Sequence, residues 1–405
     1  MGLQNSVPCW VVGRMTDKLP FGGGRHVAVK DVFDLQMGKT PSRDVPEYWN
    51  NGDHEWVSIK DLSSYGKYVG RTKETISDRG VAESRIKLVP ANTLIMSFKL
   101  SLGKTAITVE PTYTNEAIMA FLDKKTYPID LCYMYHQFSA KDWGAGTNTA
   151  VMGKTLNKKT LGATNICVPS IEVQRGVARR LDFIYSQIEL TNQQLAELDS
   201  LVKSRFVEMF GNRASGEIVA LQDCCSSIVG GKTPSMKHPE YYGGGIPFIK
   251  SGDVIGDRVF GGALSLSDVA LEHASVKMIP AGSVLVVTRS ARLRKEVHCA
   301  VCASDVAINQ DIKAFTPLPE FTSDYLLWAI RSHEPDLLKT VRSVSTSGMD
   351  LGTLFGIGIR KAPLSLQQQF AAFAQQADKL RVVAEKEKQT LQTLYDSLAQ
   401  EYFAI

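Results

Sequence analysis

No apolar run in the 405 residues approaches the roughly 18–20 needed to cross a bilayer as a helix, so a membrane-spanning helix is excluded. The start, Met1-Gly2-Leu3-Gln4-Asn5-Ser6, has no basic segment leading into an apolar one, and it does not read as a signal peptide. The expected compartment is the cytoplasm, with no membrane partner. The same residues fit the loose pattern for N-myristoylation, which is short enough to arise by chance. Seven cysteines, an odd number scattered over the chain, read as reduced thiols rather than a disulfide framework. Cys299 and Cys302 form the only Cys-x-x-Cys, and the adjacent Cys224 and Cys225 have the wrong spacing to complete four zinc ligands. The Cys-x-x-Cys pair is expected to be buried in a strand, with no metal. A strong charge excess is missing too. Lys and Arg number 46 against 42 Asp and Glu, a net +4, so any surface for a polyanion must be local.

Catalytic patterns are also absent. Gly-Lys-Thr occurs at Gly38, Gly103, Gly153 and Gly231, but a phosphate loop needs a glycine five positions earlier, where Phe33, Phe98, Asn148 and Ser226 stand. Proline follows the first and last triplets and would stop the helix that a phosphate loop opens. There is no Asp/Asn-Pro-Pro-aromatic motif, no Gly-x-Gly-x-x-Gly after a strand and no His-Glu-x-x-His. Asp311-Ile-Lys313 has the lax form of a nuclease motif, but Pro335-Asp336 comes after it, the wrong order. With no Ser or Cys constellation either, the chain reads as a binder, not an enzyme.

What is present is a duplication. The length allows two to three domains, and 44% hydrophobic with 22% charged residues is the balance of a folded globular protein. Gly38-Lys-Thr-Pro-Ser42 with Pro46-Glu-Tyr48 recurs as Gly231-Lys-Thr-Pro-Ser235 with Pro239-Glu-Tyr241, an offset of 193 residues. Trp56-Val57 and Asp61 then parallel Phe248-Ile249 and Asp253, Pro90-Ala91 parallels Pro280-Ala281, and Asn115 with Ile118 to Phe121 parallels Asn309 with Ile312 to Phe315. The offset drifts, as loop insertions between kept core elements would make it.

Each half closes in a long helical signal. Val177, Leu181, Ile184, Ile188, Thr191, Leu195, Leu198 and Val202 alternate steps of four and three, which is heptad spacing with Thr191 as its polar interruption. The second copy is Phe370, Phe373, Ala377, Leu380, Ala384, Glu387, Leu391, Leu394 and Leu398, with Glu387 in the polar place. The two seams predict one antiparallel coiled-coil pair, on the order of 55–60 Å long at ~1.5 Å per residue. Pro169 and Pro363 stand ahead of the helices, and Ser365 with Gln368 fits a capping box. Between the helices the chain reads as mixed α/β (α+β). Strands are expected around Thr93–Met96 and Ser283–Thr288, and short helices over Leu131–Phe138 and Tyr325–Ile330. The expected organisation is an unplaced segment 1–26, a globular domain 27–168, a helix 169–212, a second globular domain 213–361 and a second helix 362–405, related by an internal pseudo-twofold.

In order and doubled spacing these motifs resemble the specificity subunits of Type I restriction-modification systems, over nearly the whole chain. The shared features are Gly38 to Ser42 and Gly231 to Ser235, Pro46 to Trp49 and Pro239 to Tyr242, and helix openings at Ile171-Glu-Val-Gln174 and Pro363-Leu-Ser-Leu-Gln367. The helix ends Ser204-Arg-Phe-Val-Glu-Met-Phe210 and Ser397-Leu-Ala-Gln-Glu-Tyr-Phe403 are alike as well. Asn309-Gln-Asp311 is typical of the family, whereas Asn115-Glu116 departs from it. The resemblance implies two target-recognition domains, each reading one half of a bipartite, asymmetric site in double-stranded DNA, with the helices as a ruler between them. It implies no catalysis and no cofactor in this chain. Two modification (methyltransferase) subunits would bring S-adenosylmethionine and methylate adenine N6, and restriction/translocase subunits would bring ATP and Mg.

Residue by residue, physics gives classes only. Candidates for phosphate or base-edge contact are Lys39, Thr40, Lys60, Arg71, Lys73, Lys99 and Lys104 in the first domain, and Lys232, Thr233, Lys250, Arg289, Arg292, Arg294 and Lys295 in the second. The run Thr288 to Lys295 is the sharpest basic patch, a solvated loop being its alternative reading. Thr40 and Thr233, each before a proline, read first as turn-formers, and Trp56 and Phe248 as core. Three other readings stay open: a standalone transferase, for which no catalytic set is found, a non-catalytic coiled-coil scaffold joining protein partners, and an orphan DNA-binding protein without an active methyltransferase partner.

Overall fold

The computed structural model describes residues 24–99, 101–144, 156–211, 216–343 and 347–403. Trp10, Gly22 and the Gly153 triplet lie outside the described residues. The chain divides into two compact units, one holding the residues up to Leu190 together with those from Glu387 on, the other Thr191–Lys386. Each unit is therefore one globular domain with part of each long helix.

In the first unit, β1 (Arg25–Ala28) pairs with β9 (Asn165–Val168), so Arg25 and His26 join the first domain. A four-stranded antiparallel sheet runs β2 (Phe33–Met37), β8 (Ile118–Asp123), β5 (Leu94–Ser97), β6 (Thr105–Ile107). Against it stands a three-stranded sheet of β4 (Glu74–Ile76), β3 (Trp49–Val57) and β7 (Tyr113–Thr114), in which β3 and β7 are parallel. Alternation along β5 explains the layering. Leu94 and Met96 face α1 (Leu131–Ala140) and the long helices, and Ile95 faces Val57 and Leu62 on the other side. Phe33, Phe121 and Phe138 close that core edge to face, with centroids 4.9–6.1 Å apart.

The second unit repeats this plan. Its main sheet runs β11 (Cys225–Gly230), β18 (Ile312–Pro317), β15 (Val284–Val287), β16 (Cys299–Cys302), β13 (Arg258–Val259). The small sheet is β14 (Leu264–Leu266), β12 (Tyr242–Ile249), β17 (Ala307–Ile308), and β10 (Ile218–Ala220) pairs with β19 (Gly358–Arg360). The repeat extends to strand register: Leu94 opposes Phe121 as Val284 opposes Phe315. Cys299 and Cys302 lie three apart in β16, on opposite faces and in different cores, so they cannot share a metal ion. Burial pushes the thiols of Cys224 and Cys225 up to about 12.

The long helices are α2 (Ile171–Phe210) and α4 (Leu364–Phe403), 40 residues each; α3 (Ser323–Ser332) is the second-unit counterpart of α1. In the first unit Val177, Leu181, Ile184 and Ile188 share a core with Tyr395, Ala399, Tyr402 and Phe403. In the second, Val202, Phe206 and Phe210 share one with Phe370, Ala374 and Ala377. In the first unit Arg180 bonds Tyr402 and Tyr185 meets Tyr395, and in the second Asp199 bonds Arg381 and Phe206 meets Phe370; partner numbers fall as those of α2 rise, so the pairing is antiparallel within each unit. Leu195 and Leu198 are half-buried.

The second seam differs from its sequence reading. Phe370, Ala377 and Ala384 are buried and Leu391 and Leu398 half-buried, but Leu380 and Leu394 are 59% and 41% exposed, Phe373 is only half-buried and Glu387 is exposed. The intermediate positions fall four residues on, not three: Ala374, Arg381, Lys388, Tyr395 and Tyr402. Three of these disguise apolar bodies behind polar tips that reach partners: Tyr395 to His136, Tyr402 to Arg180 and Arg381 to Asp199. The capping box is absent as well. The helix starts at Leu364, and the Pro363 carbonyl accepts the amides of Leu366 and Gln367, which puts Ser365 inside the first turn.

What fixes each entry is a buried glutamine. Gln174 Nε2 donates to the carbonyls of Pro128 and Pro169, both at 2.9 Å, and its Oε1 accepts the amide of Asp130 at 2.8 Å. Gln367 does the same with Glu320, Ala362 (both 2.9 Å) and the amide of Thr322 (2.8 Å). Asp130 and Thr322 are the N-caps of α1 and α3, so one side chain sets two helix starts. Leucine at either position leaves one N–H and two C=O groups buried without partners. Gln174→Leu and Gln367→Leu are each expected to cost roughly 2–4 kcal/mol, read as a lower urea midpoint at unchanged slope.

Candidate nucleic-acid interface

The Gly-Lys-Thr-Pro segment of each domain wraps the turn that leads into the central strand of the main sheet. Gly38 donates its amide to Ile118 and Lys39 to Thr114, at 3.1 and 2.8 Å; Gly231 and Lys232 do so to Ile312 and Ile308, at 3.3 and 3.0 Å. The approach explains the glycine. A Cβ on Gly38 would lie 2.2 Å from the Thr114 carbonyl oxygen, and one on Gly231 2.2 Å from those of Ile308 and Asn309. Side chains then fasten the wrap. The Thr40 hydroxyl donates to the Glu116 carboxylate and accepts from Asn115 Nδ2, and the Thr233 hydroxyl donates to Gln310 Oε1. Both threonines thus serve the turn. Glu116 and Gln310, equivalent in the repeat, stand out in the sequence only as motif positions; their role in holding the threonines leaves no local signal, because these contacts join residues 76 and 77 apart.

The Pro-Glu-Tyr segments are docked alike. The carbonyls of Glu47 and Tyr48 accept from Ser77, and those of Glu240 and Tyr241 from Ser267. Trp49 donates its indole N–H to Ser42 at 3.0 Å while Arg43 lies 3.6 Å above its ring and pairs with Glu74. Trp56 and Phe248 are buried beneath.

Strand register puts several candidate cations at this one sheet edge. Ser97 opposes Ile118 and Val287 opposes Ile312, so Lys99 and Arg289, each two residues past its strand partner, flank the wrapped turns with Lys39 and Lys232. Lys104, whose carbonyl accepts from Ser97, stands in the same hairpin as Lys99. Val57 and Ile249 accept the amides of Asn115 and Asn309, which brings Lys60 and Lys250 beside the turn. Arg289 is exposed and its Nε is 3.9 Å from Asp311. Arg292, Arg294 and Lys295 are exposed on a short turn of 3₁₀ helix anchored by buried Leu293. The hairpin carrying them runs from Thr288 to His298, longer and more basic than its first-domain counterpart from Phe98 to Lys104. Arg71 and Lys73 are exposed on a different loop, where Thr72 is tied to Glu55. Among the described residues no group of His, Cys, Asp and Glu is arranged to hold a metal ion.

The sequence matches the family described as Type I restriction modification DNA specificity domain twice, over residues 25–200 and 216–393. The chain belongs to this family. Each specificity domain begins at the first strand of its unit, β1 or β10, and runs on into the long helix that follows its globular part. Among curated relatives, the specificity subunit of the Type I restriction enzyme MjaIX from Methanocaldococcus jannaschii is 28% identical over 45% of this chain and 42% of its own. The EcoR124I/EcoR124II specificity subunit from Escherichia coli is 30% identical over 37% of this chain and 38% of its own. The aligned part thus spans less than half of those relatives. Two solved structures share the fold at a TM-score of 0.52. A Type I restriction-modification S subunit from M. genitalium is 12% identical and aligns over 95% of this chain and 96% of its own. A chain from a structure of type I R-M complex assembly and conformational transition is 18% identical and aligns over 94% and 98%.

The close approach of the specificity-domain glycine gives a test. Gly231→Ala is expected to lower stability by about 1–3 kcal/mol in thermal unfolding, because the turn must shift. Gly245→Ala, where a Cβ meets open space, is the control expected to leave the midpoint in place.

Proposed function

We propose that this chain is the DNA-reading, non-catalytic subunit of a Type I restriction-modification complex. Each globular domain reads one half of a bipartite, asymmetric duplex site through its wrapped sheet edge. The observation that carries this reading is the double match to a DNA specificity domain, together with the same cation-flanked turn in both copies. Lysines and arginines at such an edge neutralise phosphates and fix register, while base contacts, worth about 1–3 kcal/mol each when bidentate, supply discrimination. Lys39, Lys99, Lys232 and Arg289 are assigned the phosphates nearest the turns. Lys60, Arg71, Lys73, Lys104, Lys250, Arg292, Arg294 and Lys295 are the outer candidates. The two 40-residue helices set the number of unread base pairs between the half-sites.

The partners this reading calls for are two modification subunits, which bring S-adenosylmethionine, and restriction subunits, which bring ATP and Mg, all in the cytoplasm. No cofactor is assigned to this chain. Co-expression with its modification subunit in an unmodified host, followed by genome-wide mapping of methylated adenine, is expected to give one split motif that is lost when this chain is deleted. No new methylation from a stable complex would contradict it. Four residues, about one turn, inserted into both helices are expected to lengthen the gap while sparing both half-sites; altered half-sites with an unchanged gap would count against the ruler.

A further inference from the structure

We propose that positions 67 and 257 are orientation keys, ion-pair ties of opposite polarity that match each globular domain to its own long helix. The positions are equivalent in the repeat. The Lys67 carbonyl accepts the amide of Ile107 at 2.9 Å and the Asp257 carbonyl that of Val301 at 2.8 Å, and Ile107 and Val301 oppose Leu94 and Val284 in matched strands. Their charges are opposite.

In the first unit the buried Lys67 ammonium donates to Asp182 of α2. The fully buried His136 of α1 lies 2.7 Å from the same carboxylate through Nε2 and 2.7 Å from the Tyr395 hydroxyl of α4 through Nδ1. Burial holds this imidazole below its ordinary pKa despite Asp182, so the ring is neutral, donating to the carboxylate and accepting from the tyrosine. The ionic part of the tie is therefore Lys67 with Asp182. Burial alone would raise the Asp182 pKa, and the hydrogen bonds from His136 and Lys67 outweigh it and hold the carboxyl below its ordinary range.

In the second unit the polarity is reversed. Asp257 accepts from Arg331 of α3 at 2.6 Å and lies 3.3 Å from Arg381 of α4, which also bonds Asp199 at 2.6 Å and Asp378 at 2.9 Å. Burial would raise the Asp257 pKa as well, and the two guanidinium groups overcome it. Asp182 and Arg381 sit on equivalent helices, Arg381 about two turns further along. A buried charge left without its partner is strongly destabilising, and one facing its own sign is worse. The first domain's key therefore suits a helix carboxylate, and the second domain's key a helix guanidinium.

The test is a charge-exchange series in the full-length chain, followed by thermal unfolding: K67D, K67D/D182K, K67D/R381D, D257K, D257K/R381D and D257K/D182K. K67D and D257K are each expected to lower the midpoint by about 10 °C. Rescue is expected only from the change in the same unit: more than half of the loss from D182K for K67D, and a smaller but resolved part from R381D for D257K, because Arg331 still faces the new ammonium and the new carboxylate meets Asp199 and Asp378. A structural role without matching would give no such partner-specific rescue. An insoluble K67D with a soluble K67D/D182K supports the keys. The proposal is overturned if K67D and D257K melt within about 2 °C of the parent, if the cross-unit change rescues as well as the matched one, or if the matched doubles are as unstable or insoluble as the singles.

Discussion

Gln174 and Gln367 stand where each globular domain meets its long helix, and the rest of each unit depends on what their primary amides do there. An amide offers two donors and an acceptor on one rigid plane. Here those groups meet two carbonyls and one backbone N–H that would otherwise be buried without partners, because the chain enters the long helix through a tight segment ending in Pro169 or Ala362. Glutamate lacks the donors and leucine lacks everything but the shape. Once the amide is seated, the start of α1 or α3 is fixed, and with it the face of the main sheet that packs on the helix.

From that fixed face the site follows by register. A sheet whose central strands alternate between two cores has its strand ends defined to the residue, so the turn before β8 or β18 always emerges at one edge. Glycine lets the Lys-Thr-Pro segment lie directly on that turn, and threonine ties it down through Glu116 or Gln310. The lysines beside it are held at their backbones and exposed at their side chains, with the Lys39 ammonium resting on the Ser84 carbonyl at 2.6 Å.

Much of this was legible in the sequence because duplication writes each signal twice. The Gly-Lys-Thr-Pro-Ser and Pro-Glu-Tyr blocks gave the repeat, the apolar runs gave β5 and β15, and the seven-residue spacing gave both long helices. The second seam was half legible. Phe370, Ala377 and Ala384 announce themselves, but Tyr395, Tyr402 and Arg381 present polar tips, and Leu380 and Leu394, the more apolar choices, face outward. Contacts between distant residues left no local trace. The glutamine clamp spans 44 to 47 residues, the Lys67 tie 115, and the Thr40 bond 76, and no periodicity reports on such distances. Lone charges such as Lys67 and Asp257 look in sequence like any solvated residue, and only packing turns them into buried ion pairs.

The central claim is that one chain reads DNA twice, through two copies of one edge. Selection of duplexes from a randomised pool by the assembled complex, with the bound sequences read out, tests it most directly. Two short constant blocks, different from each other and separated by a stretch of fixed length and free sequence, are the expected result. A single contiguous block, or enrichment that does not rise above the starting pool at moderate salt, would contradict it.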